Sequence, residues 1–406
     1  MRTTFFDDHD KNITGVAYKN IHIKKTIILY FADKGNTTIT ELCKELNLSV
    51  PKVTTLVLDL IADGLVKDFG KTGSTGGRRP NIYGLAPDSV FFLGVDVKYN
   101  HINIGLTDLR KKLIRISKGV PYDLQNSEAS LKELCRLILN FIKETGVPKE
   151  KILGIGLNMS GRINYLTGYS YNFFHFNEEP LNKVIENELG LKTYLENDSR
   201  AMAYGEFNSG AVEDEKNVLF LNLDYGLGMG MMINKEIYYG KSGFSGELGH
   251  IPLFNNELIC RCGKKGCLET EASGMAMVRM FKESISNGSS SSLKKGPNDE
   301  IQMEEIIDAA NNDDVLCIEL MEKIGYNLGR GIALLINIFN PELIILGGAL
   351  ATTGEYLHLP IKSALNKLSL SLANNDTQIR ISSLGEDAGV IGACLLARKR
   401  LLEDTL

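Results

Sequence analysis

The sequence lacks any long apolar run. Its longest mainly apolar stretch, around residues 331–339, is far shorter than the roughly 20 residues that a membrane-spanning helix needs. The N-terminus, MRTTFFDDHD, is acidic where a secretory signal would be basic and then apolar. Cysteines number seven, and an odd number argues against a complete disulfide framework. These absences predict a cytoplasmic protein with reduced thiols and no membrane partner.

Size and charge indicate a two-part chain. Its 406 residues favour two or three domains. Residues 19–87 carry ten Lys/Arg against six Asp/Glu, a net charge of +4. The net charge of the whole chain is −5, so the remaining residues together carry −9. A basic head on an acidic body is typical of a DNA-binding module joined to a small-molecule domain. A difference this small also arises by chance, so charge alone does not decide.

The first ninety residues predict a helix-turn-helix with a wing. Thr38 and Glu41 have the spacing of a capping box, and Ser49 can cap a helix that has Pro51 in its first turn. A glycine-rich tip, GKTGSTGGRRP, separates two strand-like runs. Three helices are predicted over residues 21–32, 38–47 and 49–61. Two strands are predicted after them, over residues 65–69 and 81–85.

The third predicted helix would place its N-terminal turn in a DNA major groove. The basic tip of the wing could contact phosphates or the minor groove. A helical hairpin that binds another protein is the alternative, but the order of helix pair, wing and basic tip favours DNA. The DNA-binding candidates are Ser49, Lys52, Thr54, Thr55, Arg78 and Arg79.

From residue 90 onward strand-like and helical segments alternate, which indicates an α/β body with mixed sheets. Long amphipathic segments over residues 131–143 and 315–340 predict helices. Strands are predicted over residues 91–97, 101–107, 152–158, 218–223, 229–233, 343–346 and 378–382.

The segment GELGHIPLFNNELICRCGKKGCLE, residues 246–269, concentrates three of the seven cysteines. His250, Cys260, Cys262 and Cys267 have the spacing H-x9-C-x-C-x4-C, and Cys₃His sets with no open position are structural zinc sites. A DNA-reading finger would need a second knuckle pair and a recognition helix nearby, which are absent from the sequence. Three unrelated buried thiols are the alternative. The remaining cysteines are predicted to be core residues: Cys43, Cys135, Cys317 and Cys394.

Polar residues flank the cysteine cluster and also arrive from an earlier segment. Glu247 and Glu269 lie on either side of the cluster, and Asn197 and Asp198 follow the strand-like run KTYLE. Carboxylates, an amide and the imidazole of His250 form the donor and acceptor set that a polyhydroxylated sugar requires. The residues alone do not show that these groups converge.

Several motifs together resemble the ROK family, which comprises sugar-responsive repressors and sugar kinases. They are G-E-L-G-H, C-R-C-G-K-K-G-C-L-E, E-N-D at 196–198, L-G-G-A at 346–349, and G-G-R-R-P closing the head. The resemblance spans essentially the whole chain and is closest to the repressor branch of xylose and N-acetylglucosamine type.

The resemblance implies an α/β fold: an N-terminal winged helix-turn-helix followed by a two-lobed, actin-like (ribonuclease H-like) ROK domain. The expected boundaries are a tail over 1–18, the winged head over 19–87 and the sugar-binding domain over 88–406. Within that domain, lobe 1 is expected to cover about 88–194 plus 388–406, and lobe 2 about 195–387.

By the same resemblance, five residues match sugar-contacting positions of the family. His250 would bind zinc through one ring nitrogen and face the sugar with the other, so that the zinc braces the pocket. The expected sugar-binding residues are Asn197, Asp198, Glu247, His250 and Glu269.

Sugar kinase activity is the alternative function, because kinases of the family share this pocket. The kinase segment D-x-G-G-T reads Asp96-Val97-Lys98-Tyr99-Asn100 here, and G-T-G-x-G reads D-Y-G-L-G at 224–228. Bulky or acidic side chains therefore replace phosphate-binding glycines. Asp198, which matches the kinase proton acceptor, is still present, so weak or vestigial activity stays open. No catalytic residue is expected unless the protein is a kinase.

The sequence thus predicts a sugar-responsive transcriptional repressor of carbohydrate genes that is not an enzyme. A single winged head reads a half-site, so a homodimer or a dimer of dimers on a palindromic operator is expected. The expected partners are operator DNA and a monosaccharide effector, with a phosphotransferase-system protein as a further possibility.

Overall fold

The computed structural model describes residues 15–71, 80–176 and 178–402, which form two compact units. Unit 1 is the described part of Met1–Glu196 and Ala393–Leu406, and unit 2 is Asn197–Gly392. Among the helices that the structure describes, none combines the length and apolar character needed to cross a membrane.

The head of unit 1 has the predicted helix-turn-helix and wing strands. Thr38 and Glu41 form the predicted capping box at the second helix. Ser49 occupies the predicted N-cap position of the third helix, with Pro51 in the first turn, but its side chain makes no capping hydrogen bond. The strands pair in the order β1-β3-β2. The elements are α1 (Val16–Lys34), β1 (Thr37–Thr38), α2 (Ile39–Leu46), α3 (Val50–Ala62), β2 (Val66–Lys71) and β3 (Asn81–Leu85).

The head shares its hydrophobic core with the rest of unit 1. Ile27 of α1, Val57 of α3 and Leu85 of β3 belong to one buried cluster with Phe92 and Leu401. Burial of apolar side chains in one continuous core is the main stabilising contribution to such a contact. Within unit 1 the winged head is therefore packed against the body.

The body of unit 1 is built on a five-stranded sheet of order β10-β7-β4-β5-β6. β4 pairs antiparallel with β5 and parallel with β7, so the predicted mixed sheet is confirmed. β6 was not predicted, because its side chains show little alternation and all are partly or fully exposed. The elements are β4 (Phe91–Val97), β5 (His101–Asp108), β6 (Leu113–Pro121), α4 (Glu128–Thr145), β7 (Ile152–Met159), β8 (Ile163–Asn164), β9 (Tyr169–Ser170), α5 (Leu181–Leu189) and β10 (Thr193–Asn197).

Unit 2 has a second five-stranded sheet, of order β13-β12-β11-β14-β15. The long helix α9 packs on it in a core that includes Leu221, Ile324 and Ile332. The final helix, α12 (Asp387–Leu402), begins in unit 2 and ends in unit 1. The other elements are α6 (Asp198–Ser209), β11 (Val218–Leu223), β12 (Leu227–Ile233), β13 (Glu236–Ile237), α7 (Gly274–Ser286), α8 (Met303–Asn311), α9 (Val315–Phe339), β14 (Leu343–Gly347), α10 (Glu355–Leu368), α11 (Ser371–Asp376) and β15 (Gln378–Ile381).

Candidate functional site

The four predicted metal ligands of unit 2 lie together. One ligand atom from each of His250, Cys260, Cys262 and Cys267 falls within 4.8 Å of all the others. The Cys262 and Cys267 sulfurs are 3.6 Å apart, and the Cys260 sulfur is 3.4 Å from Nδ1 of His250. The cluster could therefore bind a metal ion.

Two glycines shape the loop that carries the cysteines. Gly263 and Gly266 both have positive φ, a region that residues with a Cβ rarely adopt. A Cβ on Gly266 would also lie 2.0 Å from the Phe254 carbonyl oxygen. The Gly263 N–H donates to the Cys260 carbonyl at 2.8 Å and closes a tight turn. This turn lies between Cys260 and Cys267, whose sulfurs belong to the same cluster.

Helix α9 supports the same loop. The Arg330 guanidinium lies 4.3 Å from the centre of the Phe254 ring and donates to the Leu253 carbonyl at 3.1 Å. Asn327, one turn earlier, donates to the Glu271 carbonyl at 3.0 Å. The loop is thus held by a rigid element as well as by its own turns.

Thiol acidity sets only Cys262 of the cluster apart from the core cysteines: burial opposes its ionisation, but the Lys264 backbone N–H and the neighbouring cysteines outweigh burial and lower the pKa of Cys262. Burial raises the pKa of Cys260 to about 12, but burial does the same to Cys135, Cys317 and Cys394. These three are buried among apolar side chains and Cys43 is half-buried against the head core, as predicted. Convergence of four possible ligand side chains is what marks the cluster.

The two ring nitrogens of His250 face different partners. Nδ1 faces the Cys260 sulfur, while Nε2 is 3.7 Å from a carboxylate oxygen of Glu247. Both side chains are partly exposed, His250 to 34 % and Glu247 to 47 %. The imidazole therefore connects the cysteine cluster to an accessible acidic group.

Glu269 links the cluster to the hairpin between β11 and β12. One of its carboxylate oxygens accepts a hydrogen bond from the Leu227 backbone N–H at 3.1 Å. Its other oxygen is 3.7 Å from the Cys260 sulfur. The side chain is 9 % exposed, so its position is closely determined by these neighbours.

Asn197 and Asp198 lie at the start of α6. The Asn197 side chain caps the helix by accepting from the Arg200 N–H at 3.2 Å, and it donates to Oδ1 of Asp198 at 2.9 Å. Oδ1 of Asp198 also accepts from the N–H and hydroxyl of Ser199. Every side-chain hydrogen bond that Asp198 makes with the described residues ends on this oxygen.

In both segments that match kinase phosphate loops, side chains form polar contacts with other residues of the protein. In unit 1 the Lys98 ammonium lies 3.3 Å from the fully buried carboxylate of Asp96. In unit 2 the Tyr225 hydroxyl has two acceptors for its single proton, Oε1 of Gln302 at 2.9 Å and a carboxylate oxygen of Glu304 at 3.2 Å. Burial, with the negative charge of Glu304, raises the pKa of Tyr225 to about 12.

The DNA-binding candidates divide into three groups. Ser49 and Thr55 are exposed, and Thr54 is half-buried. Lys52 was expected to be exposed on the outer face of α3, but it is half-buried and its ammonium donates to the Asn20 side chain of α1. The two wing arginines, Arg78 and Arg79, lie outside the described residues.

Comparison with known proteins decides the family. Residues 92–400 match the ROK family, and residues 22–67 match a winged helix-turn-helix DNA-binding domain. The chain belongs to the ROK family. The fold class is therefore the predicted one, a winged helix-turn-helix followed by the actin-like ROK domain.

Relatives of this ROK protein include both repressors and kinases. The xylose repressor of Caldicellulosiruptor bescii is 29 % identical over 384 residues, covering 94 % of this chain and 95 % of the repressor. A glucokinase of Halalkalibacterium halodurans is 34 % identical over 260 residues, covering 62 % and 78 %. A solved ROK family transcriptional regulator, a homologue of the Escherichia coli Mlc protein, has a TM-score of 0.78 at 26 % identity, covering 94 % and 97 %.

Sequence reasoning missed the residues that support the site. Ser199 and Asn222 contact the Asp198 region, and Arg330 contacts the cysteine loop. A serine next to E-N-D and a lone asparagine in an apolar strand are visible in the sequence. Their partners are not, because they come from separate segments of the chain.

Proposed function

We propose that this ROK protein is a sugar-responsive transcriptional repressor of carbohydrate uptake or catabolism genes. The observation that carries the proposal is that one chain combines two parts. The winged head exposes the N-terminal turn of α3, and unit 2 of the ROK domain contains all five polar residues expected to bind a sugar. Its full-length relatives with the same two-part organisation include a xylose repressor and a transcriptional regulator. Such a protein would act in the cytoplasm.

We propose that the cysteine cluster holds a structural zinc ion. Zinc–sulfur bonds of about 2.3 Å in a tetrahedron place two sulfurs about 3.8 Å apart, and the 3.6 Å between Cys262 and Cys267 is close to this value. A Cys₃His set leaves no open position for water, so the metal would brace the loop and not take part in catalysis.

The proposed sugar pocket consists of Asn197, Asp198, Glu247, His250 and Glu269. All five belong to unit 2. With Nδ1 of His250 on the metal, Nε2 and the Glu247 carboxylate would be available for sugar hydroxyls. The effector is proposed to be an unphosphorylated monosaccharide, since the nearby Asp224 carboxylate would repel a phosphate.

A kinase is the second candidate, and Asp198 together with the glucokinase relative favours it. Against it, Lys98 and Tyr99 stand where kinases of the family have the glycines that admit nucleotide phosphates. In the second segment, Asp224 stands in place of a glycine and Tyr225 in place of the threonine. We therefore propose that the protein is not an enzyme and that Asp198 serves as a hydrogen-bond acceptor for the sugar.

The proposed assembly is a homodimer or a dimer of dimers on a palindromic operator, because each winged head reads one half-site. The proposed domains are the winged head over 19–87 and the ROK domain over 88–406. Sugar binding would shift the population toward an arrangement of the heads that no longer matches the half-site spacing. Docking of a phosphotransferase-system protein is a further proposed route of release.

Fluorescence anisotropy of the zinc-loaded protein with fragments of its own genome tests the function. We expect tight, salt-sensitive binding to a palindromic fragment, which D-xylose, D-glucose or N-acetyl-D-glucosamine abolishes. Incubation with labelled ATP and the same sugars is the control for the kinase candidate. Rapid sugar phosphorylation without specific DNA binding would contradict the repressor proposal and support the kinase.

A further inference from the structure

Asn222 is a buried polar residue in a strand that is otherwise apolar. It is the single polar side chain of β11, VLFLNL, and is 4 % exposed. Its Oδ1 is buried and has no hydrogen-bond partner among the described residues. A buried amide with one unsatisfied atom is unfavourable for folding, so stability does not account for an asparagine at this position.

The other end of the Asn222 amide contacts Ser199, the neighbour in sequence of Asp198 in the proposed sugar pocket. Its Nδ2 donates to the Ser199 hydroxyl at 3.3 Å. The Ser199 hydroxyl in turn donates to Oδ1 of Asp198 at 3.1 Å. Ser199 is 2 % exposed, so no bulk water competes for these two bonds.

The chemistry of the three groups determines the direction of the chain. A carboxylate only accepts and an amide N–H only donates, whereas a hydroxyl does both. Because Asn222 supplies a donor to the Ser199 oxygen, the Ser199 proton is directed to Asp198. Oδ1 of Asp198 then has three donors, with Asn197 and the Ser199 N–H as the other two.

The β11–β12 hairpin approaches α6 closely enough for this contact only because Gly228 has no side chain. Gly228 pairs with Asn222 across the hairpin, and a Cβ on it would lie 2.0 Å from the Ser199 hydroxyl oxygen. In the sequence this glycine matches a kinase phosphate segment. The close approach of Ser199 requires a glycine at this position even when no nucleotide binds.

We propose that Asn222 and Ser199 are positioning residues that orient the Asp198 carboxylate toward the effector. The three donors on Oδ1 fix the carboxylate rotamer and leave Oδ2 as the oxygen that accepts from a sugar hydroxyl. The inference rests on the proposed function, since it assigns a role within the proposed sugar pocket. It makes the hairpin part of the machinery that recognises the sugar.

Isothermal titration calorimetry with D-xylose, D-glucose and N-acetyl-D-glucosamine tests the proposal in three variants. Asp198→Asn should weaken binding of the recognised sugar. Ser199→Ala should weaken it about tenfold, the effect of losing one hydrogen bond to a charged group. Asn222→Leu should weaken it about threefold, because Ser199 remains but is no longer oriented. Thr353→Val removes another buried hydroxyl of unit 2 and should leave affinity unchanged.

Two readouts separate positioning from a purely structural role. Thermal unfolding of Asn222→Leu should occur at the wild-type temperature or above it, because an unsatisfied buried amide is removed. The Ser199→Ala effect should also vanish for the monodeoxy sugar that lacks the hydroxyl bound by Asp198. That analogue is the one whose affinity Asp198→Asn does not change.

The outcomes distinguish this proposal from the function on which it rests. If the wild-type protein binds none of the three sugars, both are overturned. If Asp198→Asn weakens binding while Ser199→Ala and Asn222→Leu behave like Thr353→Val, only the positioning role is overturned. Equal losses for the sugar and its deoxy analogue would likewise assign Ser199 to folding and not to recognition.

Discussion

At the scale of single residues, exposure determines which side chains can be changed to test a role. Cys267 is fully buried and Cys260 nearly so, whereas Cys262 is exposed. Removing a buried sulfur would disturb packing as well as any metal site. Cys262 therefore separates metal binding from folding.

Replacing Cys262 with Ser should remove the bound zinc, because an unionised hydroxyl is a much weaker zinc ligand than a thiolate. Elemental analysis of the purified protein is expected to fall from about one zinc per chain to nearly none. The sugar response should be blunted as well, since His250 loses its anchor. Cys43→Ser, in the head, is the matched control and should keep the metal; full zinc content in Cys262→Ser would contradict the ligand assignment.

At the scale of elements, the N-terminal turns of two helices have different tasks. That of α3 is exposed at Ser49, Val50 and Pro51, as a turn that enters a groove requires. That of α9 is capped by Asp314, whose carboxylate accepts from the Cys317 and Ser292 N–H groups at 2.9 and 2.6 Å. The N-terminal turn of α3 is therefore available for a ligand, while that of α9 anchors a loop.

Changing Thr55 to Glu should abolish operator binding, because a carboxylate on the exposed face of α3 would be repelled by DNA phosphates. Sugar affinity should remain that of the wild type. Ala62→Glu adds the same charge at the exposed C-terminal end of the helix and should have a much smaller effect. Equal anisotropy titrations for both variants would place the DNA contact elsewhere.

Asp314 should contribute stability that depends on pH. Burial opposes its ionisation, but the N–H donors of Cys317 and Ser292 outweigh burial and hold its pKa well below the usual range. A carboxyl with a lowered folded-state pKa stabilises the protein above its unfolded pKa of about 4, and this stability is lost as the pH falls toward the folded value.

Asp314→Ala should therefore lower the free energy of unfolding by about 1–2 kcal/mol at neutral pH, the usual contribution of a helix cap. The difference in melting temperature from the wild type should shrink below about pH 4. Glu319→Ala, at an exposed position of the same helix, controls for charge. A difference that is constant with pH would show that the carboxylate is not responsible.

At the scale of the whole molecule, the repressor proposal requires that two chains act together. A palindromic operator presents two half-sites, and each chain carries one winged head. A ligand can shift the arrangement of the heads only if it binds one arrangement more tightly than the other. Sugar binding and DNA binding must then be reciprocally coupled.

Small-angle X-ray scattering of the dimer should change when the sugar that releases DNA is added. A sugar that does not release DNA serves as the control and should leave the curve unchanged. Sedimentation of the operator complex should give two chains for each palindrome, or four for a dimer of dimers. Identical scattering with and without the releasing sugar would rule out the population shift.

Much of the fold could be predicted from the sequence because its signals are local. Alternation and apolar runs located most strands of both sheets, and the capping box at Thr38 placed α2. β6 was missed since its partly or fully exposed side chains mix apolar and polar residues without a clear period. Lys52 was assigned to the outer face of α3 on helical spacing alone, and its bond to Asn20 depends on how α1 packs beside it.

The sequence by itself determined the family, the order of the two parts and the identities of the four metal-ligand candidates, because each rests on residue types at short spacings. Only the tertiary structure decided that Asn222 reaches Ser199, that Gly228 admits the contact, and that Arg330 supports the cysteine loop. These contacts join segments distant in the chain. Their geometry follows from the packing of a strand or helix against its neighbours, which no local pattern encodes.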